Sequence, residues 1–340
     1  MFFALTDDQR EFDKAVREYL AERFDLAAVR AVVEDTTSDG NPASLWTAAG
    51  EQGWPAVMIP EEHDGLGLGL VEAQVIARAL GAGVAPGPWR GTVLAAEALR
   101  LAGSDAQRAA WLPKLAAGAA VGAATQQGSV ADGLPAVEYG AIADVVVAPA
   151  EDGVPGLSLV TGVTATPVGS YDGSTRLATL SGGTAEALPG ATVEVVRQLA
   201  DRATVLVAAD LVGIAREAVN RTVAYDRDRE QFGVPVGSFQ AIKHALADLH
   251  VGVTMTEHAA LYAAYAVQAE LDGAELAVAV AKAKASDVAL QATAAMIQYH
   301  GGIGYTWEHE AHLFYKRAKR LAGQYGDVDT QRERIAALTV

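Results

Sequence analysis

The chain of 340 residues contains no cysteine. That excludes disulfides, a thiolate nucleophile and any cysteine-held zinc or iron–sulfur centre, so redox chemistry here requires a bound organic cofactor. No run of about twenty apolar residues is free of charge, which excludes a membrane-spanning helix by hydropathy. The opening Met1–Asp8 segment turns acidic too early for a secretory signal, and a cytoplasmic protein with no membrane insertion is expected. Basic residues are scarce: 26 Lys and Arg stand against 42 Asp and Glu, a formal charge of −16. A phosphate backbone rewards clustered cations, so this balance argues against nucleic acid as a partner. What is abundant is apolar: 51% of the residues are hydrophobic, enough in a chain of this length to bury the cores of two or three domains.

The patterning predicts a mainly α protein with a small central β domain. Thr6 to Gln9 has the Thr-x-x-Gln form of a capping box, and Phe12, Val16, Tyr19 and Leu20 follow at helical spacing. Further helices are expected near 43–52, 70–82, 91–102 and 105–117, separated by Gly- and Pro-rich turns. These make a helical domain over 1–119. From Ala120 the character changes, and Val145–Pro149, Leu157–Val160, Thr164–Val168 and Val193–Val196 read as short strands among Gly and Pro. A shortened, barrel-like β domain is expected over 120–196. Long helical patterns return near 197–227, 237–270, 273–300 and 308–322, with a short one near 328–337. Their lengths predict a four-helix bundle over 197–340.

Two constellations carry chemistry. Arg229, Gln231, Phe232 and Gly233 form R-x-Q-F-G, continued by Gly237, Phe239 and Gln240; about seventy residues later stand Gln298, Gly301, Gly302, Gly304 and Tyr305. Read alone, Arg229 is a solvated residue after the Asp226–Arg229 charge run, and Gly301–Gly302 is a helix terminator. As an ordered set, with Gly53–Trp54, Ile59–Glu61, Gly65–Gly67 and Gln107–Leu115 upstream, they resemble the acyl-CoA dehydrogenase family.

That resemblance implies FAD lying across a subunit interface. Arg229 is implied as a forked donor to its pyrophosphate, a role to which guanidinium geometry is suited. Gln231, Phe232 and Gln240 are implied on the adenosine side, and Gln298 as a contact to the same half from the other chain of that interface. Gly301 and Gly302, lacking Cβ, permit close approach. The family's reaction removes an α-proton of an acyl-CoA with a Glu and passes a hydride from the β-carbon to the flavin, often with an electron-transfer flavoprotein as acceptor. Here the resemblance fails. One family position for the Glu falls on Tyr325 or Gly326, the other on Ala203, and neither holds a carboxylate. Asp201 lies two positions from Ala203, about 200° around a helix. Asp327 is the nearest candidate base, but its place before a short helix also suits an N-cap. The family's middle-domain segments that wall the flavin ring are shortened as well, with Ala124–Ser129 in place of the first.

Shortened chains of this type resemble one subunit of heteromeric α2β2 bacterial acyl-CoA dehydrogenases of steroid side-chain degradation. That implies a longer partner subunit carrying the Glu and the substrate pocket. Two alternatives stay open: a homo-oligomeric dehydrogenase with an atypical base, and a flavin-free scaffold or acyl-CoA-binding protein. Glu308–His312 is not a metal motif, because its two histidines stand three apart where H-E-x-x-H needs four.

Overall fold

The computed structural model describes residues 4–151 and 154–340. The helices before the strands are α1 (Asp7–Arg23), α2 (Leu26–Glu34), α3 (Ala43–Glu51), α4 (Leu70–Ala82), α5 (Trp89–Ala102) and α6 (Asp105–Ala116). The strands that follow are β1 (Gly122–Ala124), β2 (Leu134–Glu138), β3 (Val145–Glu151), β4 (Val154–Thr161), β5 (Thr164–Val168), β6 (Leu177–Ser181) and β7 (Thr184–Ala187). Next come α7 (Val193–Asp228), β8 (Glu230–Gln231), β9 (Val234–Pro235), α8 (Gln240–Gln268), α9 (Ala274–Tyr299), α10 (Ala311–Gly323) and α11 (Val328–Thr339). The capping box at α1 forms as its spacing predicts: Thr6 Oγ1 accepts from the Gln9 N–H while Gln9 Oε1 accepts from the Thr6 N–H. Among the described residues, no helix is long and apolar enough to cross a membrane.

Two compact units result. One comprises residues up to Ala27 together with Gln74–Ala85 and Thr204–Val340; the other comprises Ala28–Ala73 and Pro86–Ala203.

In the second unit, β1, β3, β4 and β7 form one sheet in that order, parallel between β1 and β3 and antiparallel elsewhere. A second sheet has the order β2-β6-β5. Ala123, Leu134, Val137, Val146, Val160, Ala178 and Leu180 are buried together as the core that joins them. Each large aliphatic among them contributes roughly 1.5–3 kcal/mol by leaving water. The helices α5 and α6 belong to this unit, and Trp89 Nε1 donates to the Trp54 carbonyl at 2.9 Å.

Val193–Val196 is not a strand but the first turn of α7. Thr192 Oγ1 accepts from the Val195 N–H, and the Glu194 carboxylate takes hydrogen bonds from Arg197 and Gln198 one turn on. Val193 is exposed and has no neighbouring strand, so nothing rewards its β preference, and the long helix continues through it.

The first unit is a helical bundle built on α7, α8, α9 and α10. At its seam α4 and α7 cross closely: a Cβ on Gly81 would fall 2.2 Å from the Asp210 carbonyl oxygen, and one on Gly213 1.9 Å from that of Arg78. Only glycine fits at either place. A buried pair locks the same region, with Arg317 Nη2 and Nε donating to the two Asp210 oxygens at 2.7 and 3.1 Å and its Nη1 to the Ala85 carbonyl at 2.8 Å.

Candidate functional site

The helical path of α7 runs on to Arg229, whose N–H donates to the Tyr225 carbonyl at 2.9 Å. There the chain turns into a hairpin, β8 paired antiparallel with β9, closed at its root by the Val236 N–H donating to the Arg229 carbonyl at 2.7 Å. The two residues at its tip, Phe232 and Gly233, have φ of 56° and 78°. Two successive positive φ values define the type I′ turn whose twist suits a tight hairpin. Glycine adopts this freely, but Phe232 does so at a cost of about 1–2 kcal/mol. Yet Phe232 is 93% exposed, touching only the edge of Phe239. A strained backbone therefore delivers an aromatic ring to solvent at the hairpin tip. Arg229 is likewise exposed, and its guanidinium has no ion-pair partner among the described residues. Gln231 bonds only the neighbouring Glu230 carbonyl, and Gln240 opens α8 on the surface.

The second constellation lies beside the first in the same bundle. Tyr225 stacks on His300 with ring centroids 4.3 Å apart and donates through its hydroxyl to the His300 carbonyl at 3.3 Å. His300 also packs on His309, and burial holds its imidazole below the usual histidine range. The end of α7 and the end of α9 therefore meet at one end of the bundle. A single chain presents Arg229, Gln231 and Phe232 together with Gln298, Gly301 and Gly302. Gly301 has φ of 65°, which explains its lack of a side chain. Gly302 is different: its φ is −55°, open to any residue, and a Cβ there would meet nothing within 4 Å. Neither backbone nor packing within the chain requires glycine at Gly302. A Cβ there would instead fill space that a ligand or second chain approaching this end could use. Ile303, Tyr305 and Trp307 next to it are all largely exposed, Tyr305 at 89%.

The loop at the first base position is rigidly held but carries no free carboxylate. Tyr325 and Gly326, with φ of 53° and 88°, link α10 to α11. Lys282, fully buried on α9, spends all three ammonium protons here, on Ser286 Oγ at 3.0 Å and the Ala322 and Gly326 carbonyls at 3.0 and 3.1 Å. Burial pulls its pKa down to about 8. Gln331 Nε2 donates to the Tyr325 carbonyl at 2.7 Å. Asp327 caps α11, accepting from the Thr330 N–H at 2.9 Å and the Thr330 hydroxyl at 2.7 Å. Those bonds hold its carboxyl below the usual range, the wrong direction for a general base. At the other position Ala203 is only 2% exposed. Neighbouring Asp201 is buried and paired with Arg197 at 3.3 Å.

Sequence reasoning missed three residues. Tyr225 and Lys282 lie in ordinary helical pattern, and only tertiary placement reveals what they hold. Asp226, read as part of a solvated charge run, is in fact buried. A signal existed: Ala218, Thr222 and Asp226 recur every four residues along one helix face, and all three are buried.

Models of the acyl-CoA dehydrogenase N-terminal and C-terminal domains match residues 6–119 and 193–339. Acyl-CoA dehydrogenase IpdE2 of Mycobacterium tuberculosis is 38% identical, over 92% of this chain and 91% of its own length. Its namesake in Mycolicibacterium smegmatis is 37% identical over 91% and 92%. Among solved structures, the ChsE4-ChsE5 complex of M. tuberculosis superposes with a TM-score of 0.89 at 25% identity, covering 99% of this chain and 98% of the other. A variant of the Tcur3481-Tcur3483 steroid acyl-CoA dehydrogenase gives 0.85 at 25% identity, covering 98% and 97%. Butyryl-CoA dehydrogenase of Megasphaera elsdenii, at 0.84 and 20% identity over 99% of each chain, shows the same fold.

Proposed function

The chain belongs to the acyl-CoA dehydrogenase family, and on that premise we propose that it is the short subunit of a heteromeric enzyme whose longer partner carries the catalytic carboxylate. The observation that carries this reading is a contrast within one bundle. The end bearing Arg229, Phe232 and Gly302 is open and unpartnered, whereas the positions for the base hold Ala203 and Tyr325.

The residues present fit the adenosine and pyrophosphate half of FAD. Arg229 offers a free guanidinium for the phosphates, Phe232 an apolar wall, Gln231 and Gln240 polar contacts, Gln298 a contact from the opposite side of the interface, and Gly301 and Gly302 a surface clear of side chains. FAD, when bound, supplies the hydride acceptor. This chain contributes binding and orientation: a fixed hairpin, a fixed glycine turn and the Tyr225–His300 contact that keeps them together. Proton removal from the acyl-CoA falls to the partner, since Asp327 is committed to its helix cap. The substrate class is an acyl-CoA thioester, and the steroid dehydrogenase among the structural relatives supports a steroid side-chain CoA. A two-chain relative, the ChsE4-ChsE5 complex, supports the heteromeric assembly.

The test is co-production with a longer acyl-CoA dehydrogenase, followed by subunit mass, visible flavin absorbance and turnover. The expected result is yellow, active protein only for the pair. If the purified single chain binds one FAD per copy and oxidises an acyl-CoA, the reading fails.

A further inference from the structure

Asp226 is the only carboxylic acid among the described residues with both oxygens buried and without a hydrogen-bond partner. Just 1% of the residue is exposed. It stands on the last turn of α7, three residues before Arg229, and the Arg229 N–H to Tyr225 carbonyl bond keeps that turn helical. Residues so spaced are neighbours on one helix face, with Cβ atoms about 5–6 Å apart. From the other side Gly237 presses so closely that a Cβ there would lie 2.9 Å from the Asp226 carbonyl oxygen. An uncompensated acid is therefore sealed under the root of the hairpin whose tip offers a free cation.

We infer that Asp226 is a proton-linked control on the anion site at Arg229: the hairpin holds a dinucleotide pyrophosphate firmly only when the Asp226 carboxyl carries a proton. The inference rests on the reading of Arg229 as a pyrophosphate donor. A carboxylate one helical turn away opposes the incoming phosphates, and because it is itself buried, solvent screens it less than a surface charge. That repulsion favours the protonated acid in the bound state, and by reciprocity protonation favours binding. The titratable groups flanking it in sequence are Tyr225, Arg227 and Asp228 of α7 and Glu230 of the hairpin; Lys243 and His244 stand at the start of α8, and His300 stacks on Tyr225 from the end of α9. None of them hydrogen-bonds the Asp226 carboxyl, and burial alone already pushes its pKa up to about 6. In neutral solution the free acid is thus mostly ionised, and binding draws in a proton.

The experiment titrates FAD into the flavin-depleted assembly of this chain co-purified with a longer acyl-CoA dehydrogenase subunit, by calorimetry in phosphate and in Tris buffer. Flavin fluorescence gives the affinity across the pH range. The expected result is proton uptake on binding near neutrality and an affinity that weakens about tenfold between roughly pH 6 and pH 8. Asp226→Asn should bind with no buffer-dependent heat and a flat pH profile, and Asp226→Ala, which suits a helix interior, should behave alike. Tight FAD binding by the wild type with no proton uptake overturns the inference while leaving the proposed function intact. So does a pH profile shared by wild type and both variants. Failure of FAD to bind the assembly overturns both.

Discussion

Replacing Asp226 by Ala should make the protein more stable at neutral pH and leave it nearly unchanged in mild acid, without any cofactor present. The carboxyl has a reference value of 3.8 and is raised to about 6 by burial. A raised value in an acid means that the folded state prefers the protonated form. The stability it contributes is full below the unfolded value and is lost as pH rises through the folded one. A shift of roughly 2 units corresponds to a loss of about 3 kcal/mol once the group is ionised in both states. The wild type is therefore held back by about 1.6 kcal/mol near pH 5 and by about 3 kcal/mol near pH 8. The truncation itself removes a few packed atoms, worth about 1 kcal/mol, but that loss does not vary with pH and drops out of the slope. Urea titrations of both proteins across this range measure the difference, and amide exchange in residues 229–236 reports the same effect locally. A stability difference between variant and wild type that stays constant across the range would refute the reasoning, because Asp226 would then have a partner in solution.

Gly302→Ala should leave the melting temperature within about 1 °C, since its φ suits any residue and the new methyl meets nothing, yet flavin content in the assembled enzyme should drop in visible absorbance. Lys282→Met should destabilise the loop through two buried carbonyls left without a donor, about 1–3 kcal/mol each, partly offset by relief of the buried charge. Its folded pKa of about 8 lies below the unfolded 10.5, so wild-type stability should carry an upward slope over that window that the variant lacks in alkaline denaturation curves. Asp210→Ala strands the buried Arg317 guanidinium and should cost about 3–5 kcal/mol, read as a lowered melting temperature. Asp327→Asn keeps an adequate helix cap, so turnover by the assembled enzyme should persist; its loss, with the flavin spectrum unchanged, would assign the base to this chain.

Where local pattern and tertiary packing agree, the architecture was readable from the residues. The helix expected over 70–82 and the Thr6 capping box form as the periodicity requires, and Asp327 caps α11 as its position suggested. Val193–Val196 was not readable, because its β-branched residues favour a strand only when a neighbouring strand exists, and here a helix already anchored by Glu194 takes them. The residues around Arg229 and Gln298 stood out in the sequence as a set, but their arrangement did not. Nothing in the spacing of Tyr225 and His300 discloses that they stack and join the two constellations. The burial of Asp226 was hidden by its charged neighbours, which mimic a solvated run. Lys282 was hidden for the opposite reason, since its partners are one serine hydroxyl on its own helix and two distant backbone carbonyls that no sequence motif marks.

The bare end of the bundle also has a bearing on how copies of this protein treat one another in the cell. Phe232, Tyr305 and Trp307 together give each unassembled molecule an adhesive tip. Each molecule also carries a charge of −16, so two free copies repel at range even as their tips would adhere on contact. On the proposed heteromeric reading, a partner of smaller negative charge would meet a lower barrier than a second copy does. Salt shortens the range of that repulsion, so unassembled copies should cluster more readily as ionic strength rises.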